Sequence, residues 1–210
     1  IIGGGMIPRP GEISLAHHGI LFLDELPEFP RFVLETMRQP LEDHVVTIAR
    51  AHAAVKFPAN FMLIAAMNPT PKGDLSPGEV GRRAMEQYLS KISGPLLDRI
   101  DLHIDVPPLH ASELQDTQAV EDSATVRERV IQAYKRQMQR QACLNMALSP
   151  KQLEQFAPLD GQAALIFEKA QQRLNLSARG YHRILRVART IADLAQSEQI
   201  QTGHLTEALS

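Results

Sequence analysis

A run of four apolar residues, Ile20 to Leu23, followed directly by Asp24 and Glu25, constrains the fold of this chain more than any other stretch. Such a run is typical of a short strand buried on both faces of a parallel sheet, with acidic side chains at its carboxyl end. Ligands bind at that edge of open α/β sheets. The stretch therefore predicts an α/β core with a binding edge at Asp24 and Glu25.

Two explanations fit the acidic pair. Carboxylates are seldom buried without a partner, so a pair that closes an apolar run calls for a cation or a polar substrate. A nucleotide-bound Mg²⁺ would meet that need. Alternatively, Asp24 and Glu25 only cap the next helix, because Pro27 and Pro30 stand just before a helical segment. The pattern alone leaves both explanations open.

A second apolar run, Phe61 to Met67, ends at Asn68 and Pro69. It suits a central parallel strand beside the first one. The Asn68 amide would then stand near the carboxylates and could hold a water or a phosphate oxygen through its donor and its acceptor. Otherwise Asn68 simply opens a turn, as Asn-Pro commonly does.

The segment between the two runs predicts a helix and then a β-hairpin. Val33, Met37 and Leu41 recur every four residues, which gives a helix over Pro30 to Leu41 one apolar face, and Pro40 ends or kinks that helix.

Two β-prone runs follow, Val45 to Ile48 and Ala53 to Phe57, and they predict the hairpin. Its tip would carry Arg50 and His52, with Lys56 on the return strand. Basic groups at a hairpin tip can contact nucleic-acid phosphates. A solvated turn is the simpler explanation of the same residues.

Arg99 stands between apolar residues in a short helical turn, Gly94 to Ile100. The alternating residues Asp101 to Val106 after it predict a strand with one polar face. Arg99 would either pair with Asp98 or Asp101, or project towards a phosphate of a neighbouring subunit.

The pattern turns helical in the second half. Residues 109–121 are polar and predict a linker. Four or five helices should follow as a small bundle, with Ser149 and Ser177 as helix N-caps. The fourth helix carries a stripe of arginines: Arg179, Arg183, Arg186 and Arg189. Such a stripe is usually a solvated face. Arg179 lies in the first turn, where the helix dipole disfavours a cation, so an anion near that end would explain this arginine better than the dipole can.

Composition limits the function classes. The net charge is -2 over 210 residues, so any nucleic-acid contact must come from a local patch. The single cysteine, Cys143, excludes an internal disulfide and fits a reducing compartment. No apolar run approaches the ~18 residues of a membrane span. The chain opens in mid-pattern at Ile1 and has no Walker A motif, so we expect a fragment of a longer protein.

Five ordered motifs carry a family resemblance: PRPGEISLAHHG, GILFLDELPEFPR, LIAAMNP, GPLLDRIDLHIDVP and LSARGYHRILRVARTIADL. Together they resemble the C-terminal part of the AAA+ module of Mg-chelatase-like proteins of the ComM/YifB type, over nearly the whole chain. The resemblance implies an α/β fold: a truncated P-loop NTPase sheet core over residues 1–108, a linker over 109–121 and an all-helical lid over 122–210. The Walker A region is missing.

The resemblance also implies roles for single residues. Asp24 matches the Walker B aspartate that holds Mg²⁺, and Glu25 matches the residue that activates the attacking water on ATP. Asn68 matches sensor 1, which positions that water against the γ-phosphate. Arg99 matches the arginine finger that reaches a neighbour's ATP, and Arg179 matches sensor 2.

A hexameric ring in the bacterial cytoplasm, free of membrane, is the implied assembly. The hairpin with Arg50, His52 and Lys56 falls where this clade places a pore hairpin, so DNA is implied as the partner in the pore. The implied activity is ATP-driven branch migration in recombination and natural transformation, and the fragment alone should be inactive. The alternatives are a chelatase-type ATPase that remodels a protein or metal-insertion partner and a non-hydrolysing ring scaffold. Many relatives carry cysteines in the loop that corresponds to Thr70 to Gly81, which has none here.

Overall fold

The computed structural model describes residues 1–5, 7–50, 53–71, 82–107, 121–174 and 176–210. The chain forms two compact units, residues 1–103 and 104–210. The first combines short strands and helices, and the described part of the second is helical. Within the described ranges, no helix has the length and apolar character needed to cross a bilayer.

The first unit contains six strands and five short α-helices in its described part. In chain order they are β1 (Gly3–Gly4), β2 (Arg9–Pro10), α1 (Glu12–Leu15), β3 (Ile20–Leu23), α2 (Arg31–Thr36), α3 (Arg38–Asp43), β4 (Val45–Arg50), β5 (Ala53–Pro58), β6 (Met62–Ala65), α4 (Arg82–Leu89) and α5 (Gly94–Leu97). A 3₁₀ turn, Leu26–Glu28, follows β3.

The two apolar runs pair in parallel, as the sequence predicts. β3 lies beside β6 with Leu23 opposite Ala65. The pairing continues past both strands, because the Ala66 N–H donates to the Leu23 carbonyl and the Leu26 N–H donates to the Ala66 carbonyl, both at 2.9 Å. The chain segments that leave the two strands are therefore held together at one edge.

One face of this parallel pair is exposed. Leu21 and Leu23 point into the core with 9% and 6% exposure, whereas Ile20, Phe22 and Met62 are 60%, 58% and 62% exposed. The prediction that β3 is buried on both faces is therefore wrong for this chain. Parallel sheets are normally covered on both sides, and among the described residues only the side of Leu21 and Leu23 packs against a core cluster.

The helix predicted over Pro30 to Leu41 is divided at Met37 into α2 and α3. Pro40 lies in the first turn of α3, has no N–H to donate to the Thr36 carbonyl and crowds that carbonyl with its ring. The break therefore comes one turn before the proline. Met37 is fully buried, as the apolar spacing predicts.

The predicted hairpin is confirmed and is longer than expected. β4 and β5 are antiparallel, from Val45 opposite Pro58 to Arg50 opposite Ala53. Lys56 is exposed on the return strand. His52, which the sequence predicts at the tip, lies outside the described residues.

The strand predicted over Asp101 to Val106 is wrong, because residues 101–107 form no regular secondary structure. Leu102, Ile104 and Val106 are 63%, 80% and 87% exposed. Alternation is not sufficient for a strand, since the backbone groups also need a neighbouring strand to pair with.

The described part of the second unit contains five α-helices: α6 (Ser123–Gln141), α7 (Pro150–Phe156), α8 (Gly161–Leu174), α9 (Ala178–Leu194) and α10 (Thr202–Leu209). Both predicted N-caps are confirmed. Ser149 and Gln152 form a capping box at α7, and the Ser177 hydroxyl accepts the Gly180 N–H at 3.1 Å. Phe167, Ala188 and Leu205 are among the buried residues that form the core between these helices.

Arg189 does not continue an exposed arginine stripe, because it is fully buried. Its guanidinium donates to the Ser197 and Glu198 carbonyls at 2.5 and 2.7 Å and pairs with Asp193 at 3.0 Å. The prediction of an exposed basic face is therefore wrong at Arg189. This arginine can be buried because Asp193, one turn later on the same helix, supplies a buried counter-charge.

Candidate functional site

Three of the predicted site residues share the carboxyl edge of the parallel pair. Asp24 and Glu25 follow β3 directly, and Asn68 follows β6 after a further two residues. Because parallel strands end on the same side, their trailing residues stand at one edge of the sheet. All three are exposed. The backbone therefore has the geometry that the predicted binding edge requires.

Glu25 adopts a left-handed backbone conformation, with φ 50° and ψ 47°. This conformation costs a residue with a β-carbon roughly 1–3 kcal/mol and is found preferentially at functional sites. Hydrogen bonds hold the turn: the Asp24 carboxylate accepts the Glu25 N–H at 2.9 Å, and the Glu25 carbonyl accepts the Glu28 N–H at 2.7 Å. A strained, well-supported turn therefore presents the two carboxylates.

The helix-capping explanation of the acidic pair finds no support. Glu25 precedes the 3₁₀ turn without a side-chain cap bond, and α2 begins after Pro30, also without one. The Asp24 carboxylate bonds the next peptide rather than the end of a helix. Neither side chain therefore caps one of these helices.

Tyr88 connects Asn68 to this edge, and sequence reasoning missed it. Its hydroxyl donates to the Asn68 carbonyl at 3.1 Å, and its ring on α4 is 6% exposed. Burial raises the pKa of the Tyr88 hydroxyl, and the negative charges of Glu28 and Glu25 raise it further. The hydroxyl therefore stays protonated and remains a donor. The tyrosine itself was the available signal, because a buried Tyr normally finds a hydrogen-bond partner.

Asp24 fits a role in Mg²⁺ binding. Mg²⁺ is usually held by one or two carboxylates together with substrate phosphates and water, rather than by an all-protein cage. Asp24 is exposed, and its Oδ1 is oriented by the Glu25 N–H. Within the described residues, no group of three or more His, Cys, Asp or Glu side chains is arranged to hold a metal. Further ligands of a Mg²⁺ at Asp24 would be nucleotide phosphates and water.

Arg99 is engaged within its own unit. Its Nη1 donates to the Pro95 carbonyl and its Nη2 pairs with the Glu42 carboxylate, each at 2.5 Å. The side chain is 13% exposed. Sequence reasoning offered Asp98 or Asp101 as partners and missed Glu42, which is 57 residues away in the chain.

A depression of about 520 Å³ lies beside this ion pair. Arg38, Glu42, Thr47 and Arg99 are among the residues that line it. Arg38 is itself paired with Glu35 at 2.9 Å. The two cations that border the depression are therefore both held by carboxylates.

Arg179 occupies the second position of α9, after the Ser177 cap, and is exposed. It belongs to the second unit, whereas the acidic edge and Arg99 belong to the first. Lys56 is exposed on β5, and Arg50 ends β4. The structure thus sets Asp24, Glu25 and Asn68 at one edge of the parallel pair. Arg99 is engaged with Glu42, Arg179 belongs to the second unit, and His52 lies outside the described residues.

Two family models together match almost all of the chain. The model for magnesium chelatase, subunit ChlI, matches residues 1–114, and that for the C-terminal part of the same subunit matches residues 120–210. This chain belongs to the magnesium-chelatase family. Its predicted resemblance to that family is confirmed.

Individual relatives refine the placement within the magnesium-chelatase family. The chain is 51% identical over 213 residues to "Competence protein ComM" of Haemophilus influenzae, covering 100% of this chain and 42% of that protein. It is 46% identical over 214 residues to "Uncharacterized protein YifB" of Escherichia coli, with the same coverage. A weaker match, 28% over 117 residues, is to "Magnesium-chelatase subunit ChlI" of Chlorella vulgaris and covers 53% of this chain and 32% of that protein. The chain therefore spans less than half the length of the relatives that it matches throughout.

Proposed function

We propose that this chain is part of a ring-forming AAA+ ATPase that uses ATP and Mg²⁺ to drive a motor on DNA. The observation that carries the proposal is the parallel pairing of β3 with β6, which sets Asp24, Glu25 and Asn68 at one edge. Membership of the magnesium-chelatase family supports the coarser part, an AAA+-type ATPase. The finer parts are a truncated P-loop core, a helical lid, a hexameric ring and a bacterial cytoplasmic location.

Each residue has a distinct task in this proposal. Asp24 holds Mg²⁺, which when bound neutralises charge on the phosphates. Glu25, on the left-handed turn after β3, orients the attacking water. Asn68 binds the water or the γ-phosphate through its amide, and Tyr88 holds the Asn68 backbone in place. Arg99 acts on the nucleotide of a neighbouring subunit, and Arg179 senses the γ-phosphate from the lid.

DNA is the proposed substrate because basic residues lie on a hairpin of the core. Lys56 is exposed and Arg50 ends β4, whereas His52 lies outside the described residues. Cationic groups on a projecting ribbon supply affinity for phosphates without base specificity. The name of the relative ComM connects it with competence, which favours a role in recombination and natural transformation. The name of the relative ChlI supports the alternative, a chelatase-type ATPase that remodels a protein or metal-insertion partner.

Steady-state ATP hydrolysis by the full-length protein tests the catalytic assignment. We expect Glu25→Gln to reduce turnover roughly 10²-fold or more, because a positioned general base contributes about that factor. Glu28→Gln is the matched control, since Glu28 is exposed on the same turn and pairs only loosely with Lys91 at 3.4 Å. Wild-type turnover in Glu25→Gln would remove Glu25 from the chemistry.

Adding single-stranded or branched DNA to the same assay tests the substrate. We expect DNA to raise turnover and Arg50→Ala with Lys56→Ala to abolish that rise. Turnover that is indifferent to DNA favours the chelatase-like alternative. No turnover under any condition favours a ring scaffold without hydrolysis.

A further inference from the structure

The guanidinium of Arg99 is occupied inside its own subunit. Its two terminal nitrogens bond Pro95 and Glu42, and its Nε is buried without a hydrogen-bond partner among the described residues. An arginine grips a phosphate through these same nitrogens, in pairs. Each terminal nitrogen keeps a second N–H, but the side chain is only 13% exposed and its Nε is buried, so Arg99 as placed here presents little of its guanidinium to an anion on another subunit. It has to leave Glu42 first.

We propose that Glu42 is a positioning residue that holds Arg99 withdrawn, and that the nucleotide of a neighbouring subunit competes with Glu42 for it. The inference rests on the proposed function, in which Arg99 acts across the ring. A nucleotide phosphate group carries more negative charge and more acceptor oxygens than a carboxylate, so it is the stronger partner for the arginine fork.

Three features make the withdrawn position reversible. The Glu42 side chain is 41% exposed, so water can solvate it once Arg99 departs. The Nε of Arg99 gains nothing in the withdrawn position, because a buried donor without a partner is destabilising. The depression of about 520 Å³ beside the pair offers open space into which the side chain can move.

Glu42 also lies at the base of the hairpin that we propose contacts DNA. It is in the last turn of α3, and His44, left-handed at φ 56°, ends that helix directly before β4. The His44 carbonyl accepts the Ala59 N–H at 2.8 Å, which ties the end of α3 to the chain leaving β5. Because one short, hydrogen-bonded turn joins the hairpin to α3, a displacement of the hairpin also moves Glu42. DNA on the hairpin loosens the Glu42 contact and frees Arg99.

The test uses the full-length protein with Glu42→Gln, which keeps the shape of the side chain and removes its charge. We expect turnover without DNA to rise roughly tenfold, the factor that loss of one charge-assisted hydrogen bond permits. Turnover with DNA should stay at the wild-type level. The ratio of turnover with DNA to turnover without DNA should therefore fall by the same factor. Asp43→Asn, the exposed neighbour on the same helix, should leave both rates unchanged. Glu42→Asp, too short to reach Arg99, should act in the same direction as Glu42→Gln.

A second readout does not depend on hydrolysis. In a Glu25→Gln background, we expect Glu42→Gln to lower the protein concentration at which ATP assembles rings, measured by sedimentation velocity. Adding Arg99→Ala should cancel this effect on assembly, since no arginine is then left to be released from Glu42.

Two results would overturn the proposal while leaving the motor intact: wild-type rates and assembly in both Glu42 variants, or a loss of turnover equal to that of Arg99→Ala. The second result would make Glu42 a support for the active arginine. Failure of the proposed function has a different signature, because wild-type protein would then lack turnover or Arg99→Ala would hydrolyse ATP normally. In that case the Glu42–Arg99 contact is only a structural ion pair and the inference falls with it.

Discussion

Replacing Asp193 by asparagine should destabilise the helical unit severely. The Asp193 side chain is 1% exposed and pairs with Arg189, which is itself fully buried, at 3.0 Å. Arg140 donates to both carboxylate oxygens at 2.5 and 2.9 Å, and the Asn145 amide donates at 2.9 Å. Asp193→Asn keeps the shape but removes the one charge that balances two cations.

The magnitude follows from the burial of the partners. Removing one member of a buried ion pair costs about 3–5 kcal/mol, because the other charge stays buried without compensation. The asparagine oxygen still accepts one hydrogen bond, so we expect the lower end, about 3 kcal/mol. For a unit of roughly one hundred residues, this corresponds to a fall in Tm of roughly 12–24 °C.

Urea unfolding followed by far-UV circular dichroism measures this loss, since most of the helix lies in the second unit. Glu168→Gln, an exposed acid on α8, is the matched control and should change the free energy of unfolding by less than about 0.5 kcal/mol. A loss below about 1 kcal/mol in Asp193→Asn would refute the reasoning. It would mean that the two arginines find water or other acceptors without cost.

Three further predictions concern the same structure. Burial by itself would raise the pKa of Asp193, but hydrogen bonds from Arg140 and Asn145 and the charges of both arginines outweigh it and lower that pKa. The stabilisation by Asp193 is therefore present above the unfolded-state pKa of about 3.9 and lost as pH falls through the folded-state value, so wild type and Asp193→Asn should converge in stability in acid titrations. Ser177→Ala removes the α9 cap and should cost about 1 kcal/mol in thermal melts, whereas Ser177→Asn should cost almost nothing. Met37→Ala empties a fully buried site and should cost about 2–5 kcal/mol in urea unfolding of the first unit; a value below 1 kcal/mol would show that the core collapses around it.

Local signals were enough to predict the elements that carry the site. An apolar run closed by acids predicted β3, and a second run closed by Asn68 predicted its parallel neighbour. Ser149 and Ser177 marked helix starts correctly because a cap acts within three residues. These features depend on neighbours in the sequence, and therefore a single sequence reveals them.

The features that sequence reasoning missed depend on contacts between distant segments. Glu42 lies 57 residues from Arg99 in the chain, and Tyr88 lies 20 residues from Asn68, so local patterns could not pair them. The burial of Arg189 follows from the packing of α9 within the helical unit, which periodicity alone cannot distinguish from an exposed basic face. The exposed face of β3 was missed for the same reason, because an apolar run does not reveal which other segments pack against it.

Under the proposed function, the left-handed turn makes the best residue for catalysis at Glu25 different from the best residue for stability. Glycine suits that backbone conformation best, yet glycine has no carboxylate to offer. Replacing Glu25 by glycine should therefore raise the melting temperature of the protein while it removes turnover, and a lower melting temperature would show that the turn is not strained. The Glu25→Gln variant, in contrast, keeps a β-carbon at this position and therefore has the same backbone strain as the wild type. Selection for activity would thus keep glutamate at this position, whereas selection for stability alone would replace it by glycine.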